Sequence, residues 1–385
     1  MNQKIMPLNI LIIAGEESGD LHGENLVKAL KEIHSDIHFK GIGGDKMRRA
    51  GVETIFGIEN MGTVGLAEIF GSLIFYLNLY RVIAKQIAKK QFDAAIFIDY
   101  PTLNLMFAKL CNKINCPAFF FISPQIWAWR PGRIKKIRRN IKKMYVVFPF
   151  EASIYENANI PVEFVGHPFL ETVKPTLTPE NAKKQFNLAP GKFTVGILPG
   201  SRKTEIEFLL DPMLQAAKRI QKEIKGCQFV LPLADSLESE DIKNRISKYS
   251  LEIKIVKKNN YNAMNCSDCL IIASGSATLE AGLLTRPMVI VYKLNPLTYW
   301  MAKHLVKITN FGLVNIVAGE MVVPELLQNE VTPENISNHI LRIYREHSYR
   351  KEVQEKLSKI RDSLGEPGFA LKTARSICIE LGLSV

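Results

Sequence analysis

Short apolar runs alternate with longer helix-period segments along almost the whole chain, the pattern of βα units wound around parallel sheets. Runs at 8–13, 37–41, 94–98, 117–122, 144–148 and 162–165 form a first series, and runs at 193–198, 228–232, 252–256, 269–273 and 288–292 a second. Between them, "HPFLETVKPTLTPENAKKQFNLAPGK" carries Pro168, Pro175, Pro179 and Pro190 without a continuous apolar face, which is the composition of a joint. A chain of 385 residues also exceeds the size at which one core stops growing. The expected organisation is an α/β domain over 1–170, a linker over 171–192 and a second α/β domain over 193–365. A helical tail over 366–385 is free to cover the second domain or cross back to the first.

Composition narrows the class. Hydrophobic residues at 47% and charged residues at 23% are normal for a globular protein with an adequate core. The formal charge of +12 raises nucleic acid, an anionic membrane surface or small anions as partners. Arg130, Arg133, Lys135, Lys136, Arg138, Arg139, Lys142 and Lys143 concentrate it in one stretch, but no helix-turn-helix, RNP or zinc-finger pattern accompanies them, so nucleic acid is not expected. Six cysteines and no cleavable signal sequence argue for free thiols in a reducing compartment. Cys266 and Cys269 form a CxxC without a second pair, since Cys111 and Cys116 are spaced CxxxxC, and no metal is expected.

The segment "VGLAEIFGSLIFYLNLY", from Val64 to Tyr80, is the most apolar in the chain, with Glu68 its only charge. It is shorter than the ~20 residues that span a bilayer. Leu73, Ile74, Phe75, Tyr76 and Leu77 run consecutively and cannot all face one core, while Arg81, Lys85, Lys89 and Lys90 follow at once. A buried helix and an interfacial membrane patch are both open readings.

Each half opens with a strand, a glycine-bearing loop and a helix. The first loop, Gly15-Glu16-Glu17-Ser18-Gly19-Asp20, lacks GxGxxG and carries acids that would repel a pyrophosphate, so sugar hydroxyls fit it better than a dinucleotide. In "AIFIDYPTLN", Asp99 stands at a strand tip as either a helix cap or a general base. In "GILPGSRKTE", Gly196 and Gly200 have three residues between them and Lys203 stands three beyond Gly200, which is not Walker spacing. Gly200, Ser201 and Arg202 instead precede a helix start read from a T-x-x-E box, Thr204 to Glu207, with a second start at Asp211-Pro212. A guanidinium there can grip phosphate oxygens while loop N–H groups bind others. "ASGSATLE" brings Ser274, Gly275 and Ser276 to another helix start, with Glu280 placed for ribose hydroxyls.

Taken in order, "AGEESGDLHG", "GIGGDKMRRAG", "VGLAEIF", "IDYPTLN", "ISPQIWAWRPGRIKKI", "FPFE", "FVGHP", "LPGSRKTEI", "ASGSATLE", "PMVIVYK" and "VVPELLQ" resemble the lipid-A-disaccharide synthase family of GT-B glycosyltransferases. The resemblance implies two Rossmann-like, doubly wound domains facing a central cleft, with a helical C-terminal segment. It implies metal-independent, inverting transfer of 2,3-diacylglucosamine from its UDP ester to 2,3-diacylglucosamine 1-phosphate, without a cofactor. Asp99 would be the catalytic base, with Glu16 beside it and Ser18, Gly19 and Asp20 on the sugar loop. Gly200, Ser201, Arg202, Ser274, Gly275, Ser276, Glu280, Asn315, Glu325 and Gln328 would form the UDP and donor site. The 73–77 patch would seat the chain peripherally on the anionic cytoplasmic face of an inner membrane, and a homodimer is compatible. One departure is Val64, where the family pattern has methionine; Trp127 and Trp129 read as packing residues. The alternatives are another GT-B enzyme of UDP-sugars, such as a peptidoglycan glycosyltransferase or a sugar epimerase, or a UDP-sugar and lipid binding module without turnover.

Overall fold

A computed structural model of the chain describes residues 7–61, 69–127, 131–295, 299 and 310–385. Val64 to Glu68, Trp129, Arg130 and the side chain of Leu73 lie outside the described residues. The chain divides into two compact units, Met1–Pro168 with Gly365–Val385, and Phe169–Leu364.

In the first unit, β1 (Leu8–Ala14), β2 (Ile37–Gly43), β3 (Val52–Gly57), β4 (Ala94–Ile98), β5 (Ala118–Phe121), β6 (Lys143–Val146) and β7 (Val162–Phe164) form a parallel sheet in the order β3-β2-β1-β4-β5-β6-β7. In the second, β8 (Thr194–Leu198), β9 (Gln228–Leu233), β10 (Ile253–Lys257), β11 (Cys269–Ala273), β12 (Met288–Tyr292) and β13 (Glu325–Leu327) run parallel as β10-β9-β8-β11-β12-β13. Both are doubly wound. Every residue of β4 and β11 is buried, because apolar layers lie on both faces of each sheet. The strand order reverses between β1 and β4 and between β8 and β11, and at such switch points the following helices depart to opposite faces. The carboxyl ends of those two strand pairs are therefore where a ligand site is expected in each unit.

Two strands escape the apolar-run reading. β3 is a half-buried edge strand, and β13 is an edge strand of three residues, so neither presents a continuous apolar run. The expected linker is also corrected. Residues 171–192 belong to the second unit, where Pro179 starts the helix Pro179–Gln185 and Thr178 Oγ1 caps it by accepting from the Asn181 N–H. Ala182 and Leu188 are buried there with Val230, Val256 and Ala263. Pro179, one of the prolines that suggest a joint, is helix punctuation instead.

The tail over 366–385 groups with the first unit. Helices Pro333–Arg345 and His347–Ser363 stay with the second, while Phe369–Glu380 belongs to the first, where Phe369 stacks on Phe121 at 5.8 Å. The apolar stretch forms the helix Ile69–Ala88. Leu79, Ile83 and Ile87 are buried, Phe75 and Tyr76 pack against the same core, and Ile74 and Leu77 are 69% and 46% exposed. Core packing and an exposed apolar edge thus share one helix. Among the described residues no helix is long and apolar enough to cross a membrane.

Candidate active site

At the switch point of the first unit, Asp99 and Tyr100 both adopt left-handed backbone, with φ of 43° and 46°. Two successive non-glycine residues there cost on the order of 1–3 kcal/mol each. The bend is pinned from several sides. The Asp99 N–H donates to the Phe121 carbonyl at 3.0 Å, and Asn104 Nδ2 donates to the Asp99 carbonyl at 2.6 Å. Tyr100 then lies against Gly15, where an added Cβ would fall 2.3 Å from the tyrosine Cγ, so glycine is required. The Tyr100 hydroxyl is 3.0 Å from that of Tyr76, which donates to the Met61 carbonyl at 3.0 Å.

This geometry bears on the capping reading of Asp99. The helix Pro101–Lys113 has Tyr100 at its N-cap and no side-chain capping bond, so the Asp99 carboxylate is not a cap. Burial, with the nearby charge of Glu16 adding to it, pushes its pKa from 3.8 up to about 6. It remains ionised at neutral pH and becomes a stronger base than an ordinary aspartate.

Glu16 and Ser18 are exposed at the start of the helix Glu17–Ile33, whereas Gly19 is buried against Ala14. Asp20 is corrected from the sugar-facing role. It is 4% exposed, and its carboxylate accepts from the N–H groups of Gly44, Lys46 and Met47 at 2.6, 3.1 and 3.1 Å. It caps the helix Asp45–Arg49. His22 and His167 are held neutral at pH 7, lowered by burial to about 4 and about 3. Trp127 gains a polar role: its indole N–H donates at 3.1 Å to Glu151, a 1% exposed carboxyl that burial pushes up to about 7.

The second unit carries a cavity of about 390 Å³ at its own switch point. Gly200, Ser201 and Arg202 line one side, and Ser274, Gly275, Ser276 and Glu280 the other. Helix Lys203–Glu223 is continuous through Pro212, so the second start signal at Asp211-Pro212 is not used. Its start is capped by Glu205 rather than Glu207: Glu205 Oε2 accepts from the N–H groups of Ser201 and Arg202 at 2.8 and 3.2 Å. Those loop N–H groups are therefore already occupied. Gly200, with φ of 110°, has no room for a Cβ beside Glu205. Among the described residues the Arg202 guanidinium has one ion pair, a 3.8 Å contact to Glu205, and it is 81% exposed, so it can turn to an anion in the cavity. Glu280 accepts from the Tyr261 hydroxyl at 3.0 Å through one oxygen, and its burial raises its pKa.

Asn315, Glu325 and Gln328 do not line this cavity. Asn315 is fully buried; its Nδ2 donates to the Val323 carbonyl and Glu325 at 2.8 and 2.7 Å, and its Oδ1 accepts from the Val322 and Val323 N–H groups. Glu325 also accepts from the Phe311 and Gly312 N–H groups at 2.6 and 2.9 Å. The Gln328 amide pairs with the backbone of Leu294, at 3.1 and 3.2 Å in the orientation that satisfies both groups. Their polar groups are taken up within the protein, which residue type and neighbourhood in the sequence do not reveal. Asn315→Ala leaves buried donors and acceptors without partners, and a loss of about 2–4 kcal/mol is expected in urea unfolding.

Among the described residues no cluster of three metal-ligating side chains occurs, and all six cysteines are free and buried. Solved structures similar to this chain include an S. aureus MnaA–UDP co-structure, with TM-score 0.64 and 12% identity over 98% of both chains. A glycosyltransferase from Rickettsia africae aligns with TM-score 0.60 and 15% identity over 98% of this chain and 99% of that one. The fold is GT-B. Curated relatives named lipid-A-disaccharide synthase include one from Geobacter metallireducens, 40% identical over 97% of each chain, and one from Coxiella burnetii, 39% identical over 96% of this chain and 97% of its own. The family model for lipid-A-disaccharide synthetase matches residues 10–374. With both switch-point sites inside that match, the chain belongs to the lipid-A-disaccharide synthase family.

Proposed function

We infer that the chain transfers 2,3-diacylglucosamine from its UDP ester to 2,3-diacylglucosamine 1-phosphate, giving the β-1,6-linked disaccharide 1-phosphate and UDP. The observation that carries this reading is the placement of an uncapped, raised-pKa carboxylate at one switch point and an arginine-lined cavity at the other, in a chain of this family. Asp99 takes the proton of the acceptor 6-hydroxyl as that oxygen attacks C1 of the donor. The bond from C1 to the phosphate oxygen breaks, and UDP leaves with the electron pair. A single displacement inverts the anomeric centre. Arg202 stabilises the charge developing on the diphosphate, and the second oxygen of Glu280 accepts from the ribose.

Acylated substrates require access to a lipid surface. Exposed Ile74 and Leu77, followed by exposed Arg81, Lys85, Lys89 and Lys90, supply apolar contact and cations that anionic lipid favours by about 1 kcal/mol each. This supports peripheral seating on the cytoplasmic face of an inner membrane. Changing Ile74 and Leu77 to serine should lower partition onto anionic vesicles by about tenfold or more, since each apolar side chain contributes on the order of 1.5 kcal/mol on burial. Unchanged flotation would remove the helix from the membrane account.

The transfer is tested by incubating donor and acceptor with the protein in detergent micelles and assigning the product by NMR. A β-linked disaccharide formed with stoichiometric UDP is expected. UDP without disaccharide, or an isomerised UDP-sugar, would overturn the reading.

A further inference from the structure

A second cavity in the first unit, about 650 Å³, is lined at one end by Pro101 and Thr102, two and three residues beyond Asp99. Helices Pro101–Lys113 and Arg133–Asn140 form its sides, so it descends from the same strand tip that carries the base. Among the described residues its charged lining consists of six cations, Lys109, Lys113, Arg133, Lys135, Lys136 and Arg139, with no carboxylate. Arg133 is set at the Thr102 end by donating to Thr102 Oγ1 at 2.9 Å. Among the described residues, Lys109, Lys113, Lys135, Lys136 and Arg139 make no ion pair, although charged side chains elsewhere on this unit do. Crowding like charges around one concavity raises the local potential and favours an anion there.

Apolar side chains share the lining: Tyr80, Leu105, Met106 and Leu110 belong to it, and Met106 is 46% exposed. Cations together with apolar side chains suit a phosphorylated amphiphile better than a free inorganic anion.

We propose that this cavity binds the phosphate of the acceptor, with the acylated side of the molecule against Leu105, Met106 and Leu110. The proposal rests on the transfer reading above, and it gives the acceptor a second anchor beside the hydroxyl that meets Asp99. The remaining source of the same chemistry is the headgroup of a bulk phospholipid, which would make the cavity a membrane contact.

The test uses the full chain with Lys109→Gln, Lys136→Gln and Arg139→Gln combined. All three residues are exposed, and glutamine keeps much of the aliphatic stem while removing the charge. In micelles free of phospholipid, the acceptor KM should rise by about tenfold or more while the donor KM stays put, because charge-assisted contacts to the acceptor alone are lost. The wild type should favour the 1-phosphate acceptor over its dephosphorylated analogue, and the variant should lose that preference. An unchanged acceptor KM overturns the proposal; if flotation on anionic phospholipid vesicles falls instead, the cavity serves bulk lipid. Should the wild type show no turnover, the transfer reading fails separately, and calorimetric binding of the acceptor to both proteins still decides the cavity.

Discussion

Asp99→Asn is expected to lower turnover by about 10²–10⁴-fold, the range for removing a positioned general base, and at the same time to make the protein more stable at pH 8. Asparagine keeps the shape and tolerates the left-handed backbone that position 99 requires. Only the ability to accept the acceptor proton is lost. The stability gain follows from burial, which raises the folded pKa from 3.8 to about 6. Between those values the folded state holds a proton that the unfolded state has released, so stability falls as pH rises through the window, and the deficit is full above about pH 6. Removing the carboxylate should recover on the order of 1–3 kcal/mol at pH 8. The gap should close below about pH 4, where both states are protonated. A variant inactive but no more stable at pH 8 would mean that Asp99 is not desolvated. In the wild type, kcat/KM should fall with unit slope below about pH 6.

Arg202→Ala should weaken UDP binding by about 10–100-fold, as one or two charge-assisted hydrogen bonds of roughly 1.5–3 kcal/mol are removed. The side chain is 81% exposed and its one ion pair among the described residues is a long contact to Glu205, so its removal should leave the fold intact. Arg202→Lys should recover part of the affinity but not all, because a lysine supplies the charge without the planar fork. Calorimetric titration with UDP reads both variants. Equal affinity in wild type and alanine variant would move the diphosphate off this loop.

Much of this architecture is legible without coordinates because parallel strands buried on both faces leave short, continuous apolar runs. The 94–98 and 269–273 runs coincide with β4 and β11 for that reason, and the residues just beyond them, Asp99 and Ser274 to Ser276, inherit their position from the switch points. The pattern loses its hold at edges. β3 and β13 are half-buried or very short, and no run marks them.

Polar residues are less legible than strands. Asp20, Asn315 and Glu325 have the types and neighbourhoods of ligand contacts, yet each accepts from backbone N–H groups that only the folded chain brings together. Glu205 carries no such signal, because T-x-x-E at Thr204 to Glu207 is the conspicuous box, while the helix starts earlier and Glu205 reaches back to Ser201. The bond between Tyr76 and Tyr100 joins residues 24 apart, beyond any local period.

The most direct test of the central claim is UDP release from UDP-2,3-diacylglucosamine and 2,3-diacylglucosamine 1-phosphate in detergent, with EDTA present, by wild type and Asp99→Asn. Release by the wild type that survives EDTA and collapses in the folded variant is the predicted result. Equal release by the two proteins would contradict the role of Asp99, and no release by folded wild type would contradict the transfer itself.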